Sequence, residues 1–265
     1  MMPSRLTPLA THPLLRGQLP VLAGLALPLL WSVWGDGPAV LGRVALVGAI
    51  VLAWQVVFTR IRRQGFGLEG ISAAIIIALL VPATAPVWQL VLGTTFGVVI
   101  GLLVFGGYGR NILHPAVVTL AFLMFSFAGE GYREASALPI WTLVPALLLL
   151  TVSGQANWRV LAGALLGLLG LGWLQAVPEA TDLAQTGLFW LVLLFLVADP
   201  VASAATDWSR PFHGLLFGIL ATLFLQTGTA ISTLVFAALM AAIFAPLLDA
   251  MAIAVNARIR ERRHG

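Results

Sequence analysis

A single carboxylate ends a long apolar run in the second half of the chain. Asp199 follows the apolar residues Leu193 to Ala198 and precedes Pro200, which stops a helix. If this helix begins outside the membrane near Asp182, then Asp199 lies within the bilayer, where a carboxylate costs about 3 kcal/mol and marks a functional position. Carbonyls at a helix C-terminus also favour a cation. The pattern predicts a sodium or proton site, and the alternative is an Asp that reaches water and caps the next turn.

A glycine-rich segment, from Phe105 to Ala116, holds the second candidate site. Glycine lets the backbone approach a ligand closely, and an arginine adds a cation. An Asn and a His follow about one helical turn apart at a predicted helix start, so both can face one ligand. The segment lacks the spacing of a phosphate-binding loop, and a tight turn with a cytoplasmic Arg is the alternative. The candidate ligand-binding residues are Gly106, Gly107, Arg110, Asn111 and His114.

Other chemistry has weaker support in the sequence. His114 and His213 are both expected near the inner side, where they are loop residues or, as the alternative, axial haem ligands. Asp249, near the end of the last apolar span, is expected near the inner interface, where it can pair with a nearby Arg. The chain has no Cys, which excludes disulfides, thiol catalysis and Cys-ligated iron–sulfur clusters. We predict no metal site.

The composition defines the environment in which these residues act. Of 265 residues, 60% are hydrophobic, 14 are basic and 10 are acidic, and the mean hydropathy is +1.01. A soluble domain of this size needs far more surface charge. The basic residues, all Arg, lie between apolar spans rather than in a soluble patch, which excludes a nucleic-acid binder. The sequence therefore predicts an all-α polytopic membrane protein that is embedded in the lipid bilayer.

Ten apolar segments are visible, and two of them are short. A spanning helix needs about 20 apolar residues. The short segments, 70–81 and 186–198, end at Pro82 and at Asp199–Pro200, which is the pattern of broken helices whose irregular backbone lines a cavity. The full spans are predicted at 19–35, 39–59, 87–105, 112–128, 138–153, 157–176, 212–228 and 230–254.

Ten crossings divide into five plus five. We predict one transmembrane domain over residues 1–265, built from two inverted five-helix repeats, at about 18–128 and 138–255, with helices 3 and 8 broken. Gly93–Gly97 (GTTFG) resembles Gly214–Gly218 (GLLFG), although two such matches in a glycine-rich chain can arise by chance. With both termini cytoplasmic, every Arg except Arg43 and Arg133 lies on the inner side, as the positive-inside rule requires.

Several ordered motifs resemble the NqrB/RnfD family, which comprises the NqrB membrane subunit of the sodium-pumping NADH:quinone oxidoreductase and the RnfD membrane subunit of the Rnf complex. The segment from Phe105 to Ala116 is similar to the family pattern FGGxGRNxxNPA. The resemblance runs from about Leu68 to Arg263. The motifs that carry it are Pro82–Gln89, Phe96–Gly101, Phe105–Asn111, Ala198–Ser203 and Phe244–Asp249.

The resemblance implies electron transfer between flavins, coupled to Na⁺ or H⁺ movement, by a subunit in the bacterial inner membrane. It implies other membrane and flavoprotein subunits as partners. Asp199 matches an acid implicated in cation handling, and Asn111 and His114 match two Asn associated with a non-covalent flavin, FMN or riboflavin. The family attaches a second FMN to a Thr in the loop that here is Gly129–Ala137, which contains no Thr. We therefore expect no covalent FMN.

Three functions remain open on the sequence. The first is a subunit of a membrane redox complex that binds flavin non-covalently and passes electrons or ions. The second is a small-solute or ion transporter or channel without redox activity, because the inverted five-helix architecture is similar to that of urea and ammonium channels. The third is a passive scaffold. Fold alone does not choose among them, although Asp199 favours a cation over a neutral solute.

Overall fold

The computed structural model describes residues 13–62, 69–82, 84–107, 109–127 and 138–264, and all regular structure in these ranges is helical. A π-helical turn continues α4 over Val99–Leu103 and α9 over Leu193–Val197, and a 3-10 turn, Ile140–Leu143, precedes α6. The α-helices are α1 (Pro13–Asp36), α2 (Ala39–Arg62), α3 (Glu69–Leu80), α4 (Val87–Val98), α5 (Pro115–Ser126), α6 (Val144–Val152), α7 (Trp158–Leu174), α8 (Glu179–Ala184), α9 (Gly187–Val192), α10 (Ser209–Leu225) and α11 (Ala230–His264).

The helices coincide with the ten apolar segments predicted from the sequence. Among the described residues, three are long and apolar enough to cross a membrane alone: Gly17–Asp36, Ala39–Arg62 and Ala230–Ile259. Seven shorter apolar helices match the remaining predicted spans. The sequence prediction missed α8, because a six-residue helix that begins at Glu179 has the composition of a polar loop.

The protein is apolar on its surface as well as in its interior. Trp34, Val152 and Trp173 are each more than three quarters exposed, at 78%, 88% and 83%. Such a surface is stable only against lipid or another apolar partner. The two short helices lie at the centre instead, since every side chain from Ser72 to Val81 and from Leu191 to Ala198 is buried.

Both predicted helix breaks are present. The 12 residues of α3 rise about 18 Å, and Gly187–Val197, which comprises α9 and its π-helical turn, rises about 16 Å. Each falls well short of the ~30 Å hydrocarbon layer. The last carbonyls of both helices therefore end inside the protein, where water cannot satisfy them.

A side chain from a longer helix satisfies a carbonyl at each break. Arg43, on α2, donates from Nη1 to the carbonyl oxygen of Val81 at 2.6 Å. His213, on α10, places Nε2 3.3 Å from the carbonyl oxygen of Val197. His213 is only 1% exposed, so the expectation that it is a loop residue was wrong. Both broken ends are thus held by side chains that are distant in the sequence.

Glycine allows α7 and α10 to approach until their backbones touch. A Cβ atom at Gly163 or Gly167 would lie 2.2 or 2.4 Å from a backbone oxygen of α10. Reciprocally, a Cβ at Gly214 or Gly218 would lie 2.0 or 2.2 Å from a backbone oxygen of α7. Small residues four apart are typical of such close crossings between membrane helices.

The two matched glycine motifs do not share a packing role. In α4, a Cβ at Gly97 would lie 2.6 Å from the backbone nitrogen of Thr119 on α5, the helix that follows. The glycines of α10 face α7 instead. The likeness between GTTFG and GLLFG is therefore not the trace of one shared contact, and it gives no support to the predicted repeat.

We expect Gly167→Ala to destabilise the α7–α10 contact by about 1–3 kcal/mol, because the added methyl group overpacks a backbone contact. Gly170→Ala, on the same helix, is the matched control: a Cβ there meets nothing within 4 Å, and Ala is the better helix former. Thermal unfolding in detergent, followed by tryptophan fluorescence, should show a lower midpoint for Gly167→Ala alone. Equal loss in both variants would contradict the packing described.

Candidate functional site

The predicted glycine-rich turn leads from the π-helical end of α4 towards α5. Gly106, Gly107 and Gly109 have φ angles of +108°, +92° and +85°. Residues that carry a Cβ atom rarely adopt such positive φ angles. The glycines are therefore required by the turn itself. The Arg110 side chain is exposed, which agrees with the alternative of a tight turn that carries an Arg.

Asn111 and His114, by contrast, turn into the protein. Asn111 is 3% exposed and donates from Nδ2 to the carbonyl oxygen of Leu113 at 3.1 Å. Its Oδ1 atom is buried with no hydrogen-bond partner. His114 caps α5, since its Nδ1 accepts from the Ala116 N–H at 3.2 Å. This arrangement assigns the His114 ring as the neutral tautomer with its proton on Nε2.

Asp199 lies two residues beyond the π-helical end of α9. It is half-buried, and its Oδ2 atom accepts from the Ala202 N–H at 2.9 Å. Its carbonyl oxygen accepts from the Ser203 N–H at 2.9 Å. The capping role considered as an alternative is therefore present in the structure. A capping carboxylate can still bind a cation, because each oxygen accepts more than one partner.

These three residues, predicted as parts of two sites, line one cavity. The cavity offers about 20 Å³ to water-sized occupants, and about 10–15 Å³ is enough for one water molecule. It is formed by α1, α3, the π-helical end of α4, the start of α5, α6 with the loop that follows, and the residues around the end of α9. Its polar lining residues are Gln18, Ser72, Asn111, His114, Gln155 and Asp199.

Three of these polar residues were not predicted from the sequence to belong to a site. Gln18 and Ser72 are 4% and 3% exposed, and the Ser72 hydroxyl donates to Gln18 Oε1 at 3.3 Å. Gln155 follows α6 and is half-buried. The available signal was a polar side chain next to or within an apolar span. Of the predicted ligand-binding residues, Gly106, Gly107 and Arg110 are not in the cavity wall.

Seven of the 13 residues that line the cavity are apolar, and the polar ones include a single negative group. Among the described lining residues, Asp199 is the carboxylate and none is Arg. His114 uses Nδ1 as an acceptor, which makes the ring neutral. A half-buried carboxylate without a cationic side chain, in a cavity that Asn111 also lines, favours a proton or a small cation as its partner.

A second acidic group nearby has a structural role. Asp249, on α11, accepts from the N–H groups of Ala205 and Thr206 at 2.8 and 2.9 Å and from the Ser209 hydroxyl. It thereby fastens the start of α10 to α11, and among the described residues its partners are these N–H groups and a hydroxyl rather than an Arg. The described residues contain no group of three His, Asp or Glu that could hold a metal ion.

The sequence profile of the NQR2, RnfD, RnfE family matches residues 12–133 and 133–258. The chain belongs to this family. The B subunit of the Na(+)-translocating NADH-quinone reductase of Pseudomonas aeruginosa strain LESB58 is 29% identical over an alignment of 300 residues, gaps included, which covers 92% of this chain and 74% of the relative. The protein of that name from Yersinia pestis is 29% identical over an alignment of 280 residues, gaps included, which covers 83% of this chain and 67% of the relative. Two predictions are thus confirmed: membership of this family, which the motifs indicated, and the assignment as a membrane protein of electron transport.

The family resemblance implies a flavin near Asn111 and His114. Pockets that hold ligands of such size enclose about 300–1,000 Å³, whereas this cavity offers about 20 Å³. The residues as arranged do not fit a flavin ring system, and one could enter only if the helices moved apart. The non-covalent flavin stays a prediction. So does the absence of covalent FMN, because residues 129–137 lie outside the described residues.

We expect His114→Leu to lower the free energy of unfolding by about 1 kcal/mol, since the Ala116 N–H loses its capping acceptor. His114→Asn is the matched control, because its side-chain oxygen can cap α5, and it should unfold near the wild-type temperature. Thermal unfolding in detergent measures both. If Leu and Asn at position 114 give the same midpoint, the capping role is wrong.

Proposed function

We propose that the chain is a membrane subunit of an electron-transport complex that moves Na⁺ or H⁺, and that the moving cation occupies the polar cavity beside Asp199. The observation that carries this proposal is the charge of the cavity: Asp199 lines it, no Arg does, and another lining residue, Asn111, has a buried amide oxygen without a hydrogen-bond partner. The curated relatives are named as subunits of a Na(+)-translocating enzyme, which supports the same role here.

The geometry of the broken helix supports a cation rather than a neutral solute. In membrane transporters, unwound backbone at a helix break supplies carbonyl oxygens to Na⁺ or H⁺ sites. Asp199 adds a full negative charge at such a break, and the Oδ1 atom of Asn111 is left without a partner. The volume of the cavity suits one small occupant, such as a proton on the Asp199 carboxylate or a dehydrated cation beside it.

We propose ten crossings with both termini in the cytoplasm of a bacterial cell, as two inverted repeats over about 18–128 and 138–255. The order of packing supports equivalent halves. In the first half α4 packs on α2 and α5, and in the second half α10 packs on α7 and α11. Between the halves, α1 packs on α6 and α5 packs on α11, as expected around a pseudo-two-fold axis.

We further propose that electrons reach this subunit through flavins and that neighbouring flavoprotein and membrane subunits complete the path; a flavin bound non-covalently by this chain needs a wider site than the cavity of about 20 Å³. The chain has no Cys, so thiolate-held iron–sulfur clusters must belong to those partners. The exposed apolar surface around Trp34, Val152 and Trp173 leaves room for membrane neighbours. The absorption spectrum of the purified subunit is the direct test for bound flavin.

We expect Asp199→Asn to abolish cation movement driven by electron transfer. The substitution removes the negative charge but keeps a side-chain oxygen that can accept from the Ala202 N–H, so the turn should stay folded. The measurement is cation uptake in proteoliposomes that contain the assembled complex, with electron transfer recorded in parallel.

Asp182→Asn is the control for this experiment, because Asp182 is an exposed carboxylate on α8 outside the cavity wall. It should transport cations at the wild-type rate. Wild-type transport by Asp199→Asn would overturn the proposed cation site and leave Asp199 with its capping role only.

A further inference from the structure

Two apolar grooves flank the start of α10. The first encloses about 630 Å³ between α7 and α10, and Gly163 and Ala162 are in its wall. The second encloses about 400 Å³ beside α11, with Ala252 in its wall. Trp208 and Phe212 line both grooves and are 68% and 54% exposed. These two aromatic side chains therefore form a ridge with a groove on either side.

A cluster with excess positive charge adjoins the first groove, since Arg159 and Asp207 are also in its wall. Arg159 and Arg210 both contact the same Oδ1 atom of Asp207, at 2.6 and 2.8 Å. Their side chains remain 37% and 30% exposed. Each guanidinium has five N–H donors, and two cations share one carboxylate. The cluster therefore keeps a net positive charge and the capacity to bind a further anion.

Two tryptophans mark the depth of the cluster in the membrane. Trp158 and Trp208 are both more than 60% exposed, and the Arg159 guanidinium lies 5.7 Å from the centre of the Trp158 ring. Exposed Trp beside Arg is typical of the membrane–water boundary. In the proposed topology this boundary is the cytoplasmic one, where anionic lipids collect and where basic pockets between helices bind their head groups.

We propose that this surface binds one anionic phospholipid of the cytoplasmic leaflet. Its phosphate contacts Arg159 and Arg210, and its two acyl chains lie in the two grooves, one on each side of the ridge formed by Trp208 and Phe212. Charge complementarity with the cluster selects an anionic head group, and the pair of grooves matches the two chains of a diacyl lipid. This site is separate from the cation cavity and depends only on the proposed topology.

Native mass spectrometry of the delipidated full-length chain in mild detergent tests the proposal. The probes are phosphatidylglycerol and phosphatidylcholine with identical acyl chains. The wild type should retain phosphatidylglycerol preferentially. Replacing Arg159 and Arg210 with Gln should weaken phosphatidylglycerol binding about fivefold for each cation removed and leave phosphatidylcholine binding unchanged. Asp207→Asn should strengthen phosphatidylglycerol binding, because it removes the competing carboxylate.

Two further variants separate a specific site from general attraction to the membrane. Arg60→Gln removes an exposed cation at the end of α2, outside both grooves, and should have no effect. Ala162→Trp fills the first groove and should weaken binding of both lipids. Equal losses for Arg60→Gln and the double variant, weaker binding in Asp207→Asn, or no lipid preference in the wild type would each overturn the proposal. The last result would favour a protein partner on this surface.

Discussion

Backbone carbonyls that end inside an apolar protein need a donor, and this constraint shapes the centre of the molecule. Because α3 and the π-helical end of α9 are too short for a full crossing, their last carbonyls lie among buried apolar side chains. Arg43 satisfies one of them and His213 satisfies another. Arg43 and His213, which would otherwise be costly in an apolar core, are therefore placed where the helix breaks require them.

The polar cavity follows from the same breaks. Where α9 stops, the chain turns at Asp199 and returns towards α10, and Asp249 holds the start of α10 in place. The turn after α4 brings Asn111 and His114 to the same point. A short helix thus creates room for a carboxylate among neutral acceptors. We propose that this imbalance of charge is what makes the cavity a cation site.

The helices were predictable because apolar segments and Pro residues are local signals. The breaks at Pro82 and at Asp199–Pro200 were visible for that reason. The π-helical turns were not, since a segment that is apolar on every side carries no periodic pattern from which an extra residue per turn can be read. The cavity was predictable only in part. Asn111, His114 and Asp199 stood out by residue type. That they line one cavity together with Gln18, Ser72 and Gln155 depends on packing between helices that are distant in the sequence.

The most direct test of the cation site is infrared difference spectroscopy of the purified subunit in detergent, with Na⁺ exchanged for choline and the proton concentration varied. The account predicts a carboxyl signal that changes with one of these cations and is missing from Asp199→Asn. Dependence on Na⁺ would identify sodium as the partner, and dependence on protons alone would identify H⁺. A carboxylate at Asp199 that stays ionised and unchanged under every condition would contradict the account.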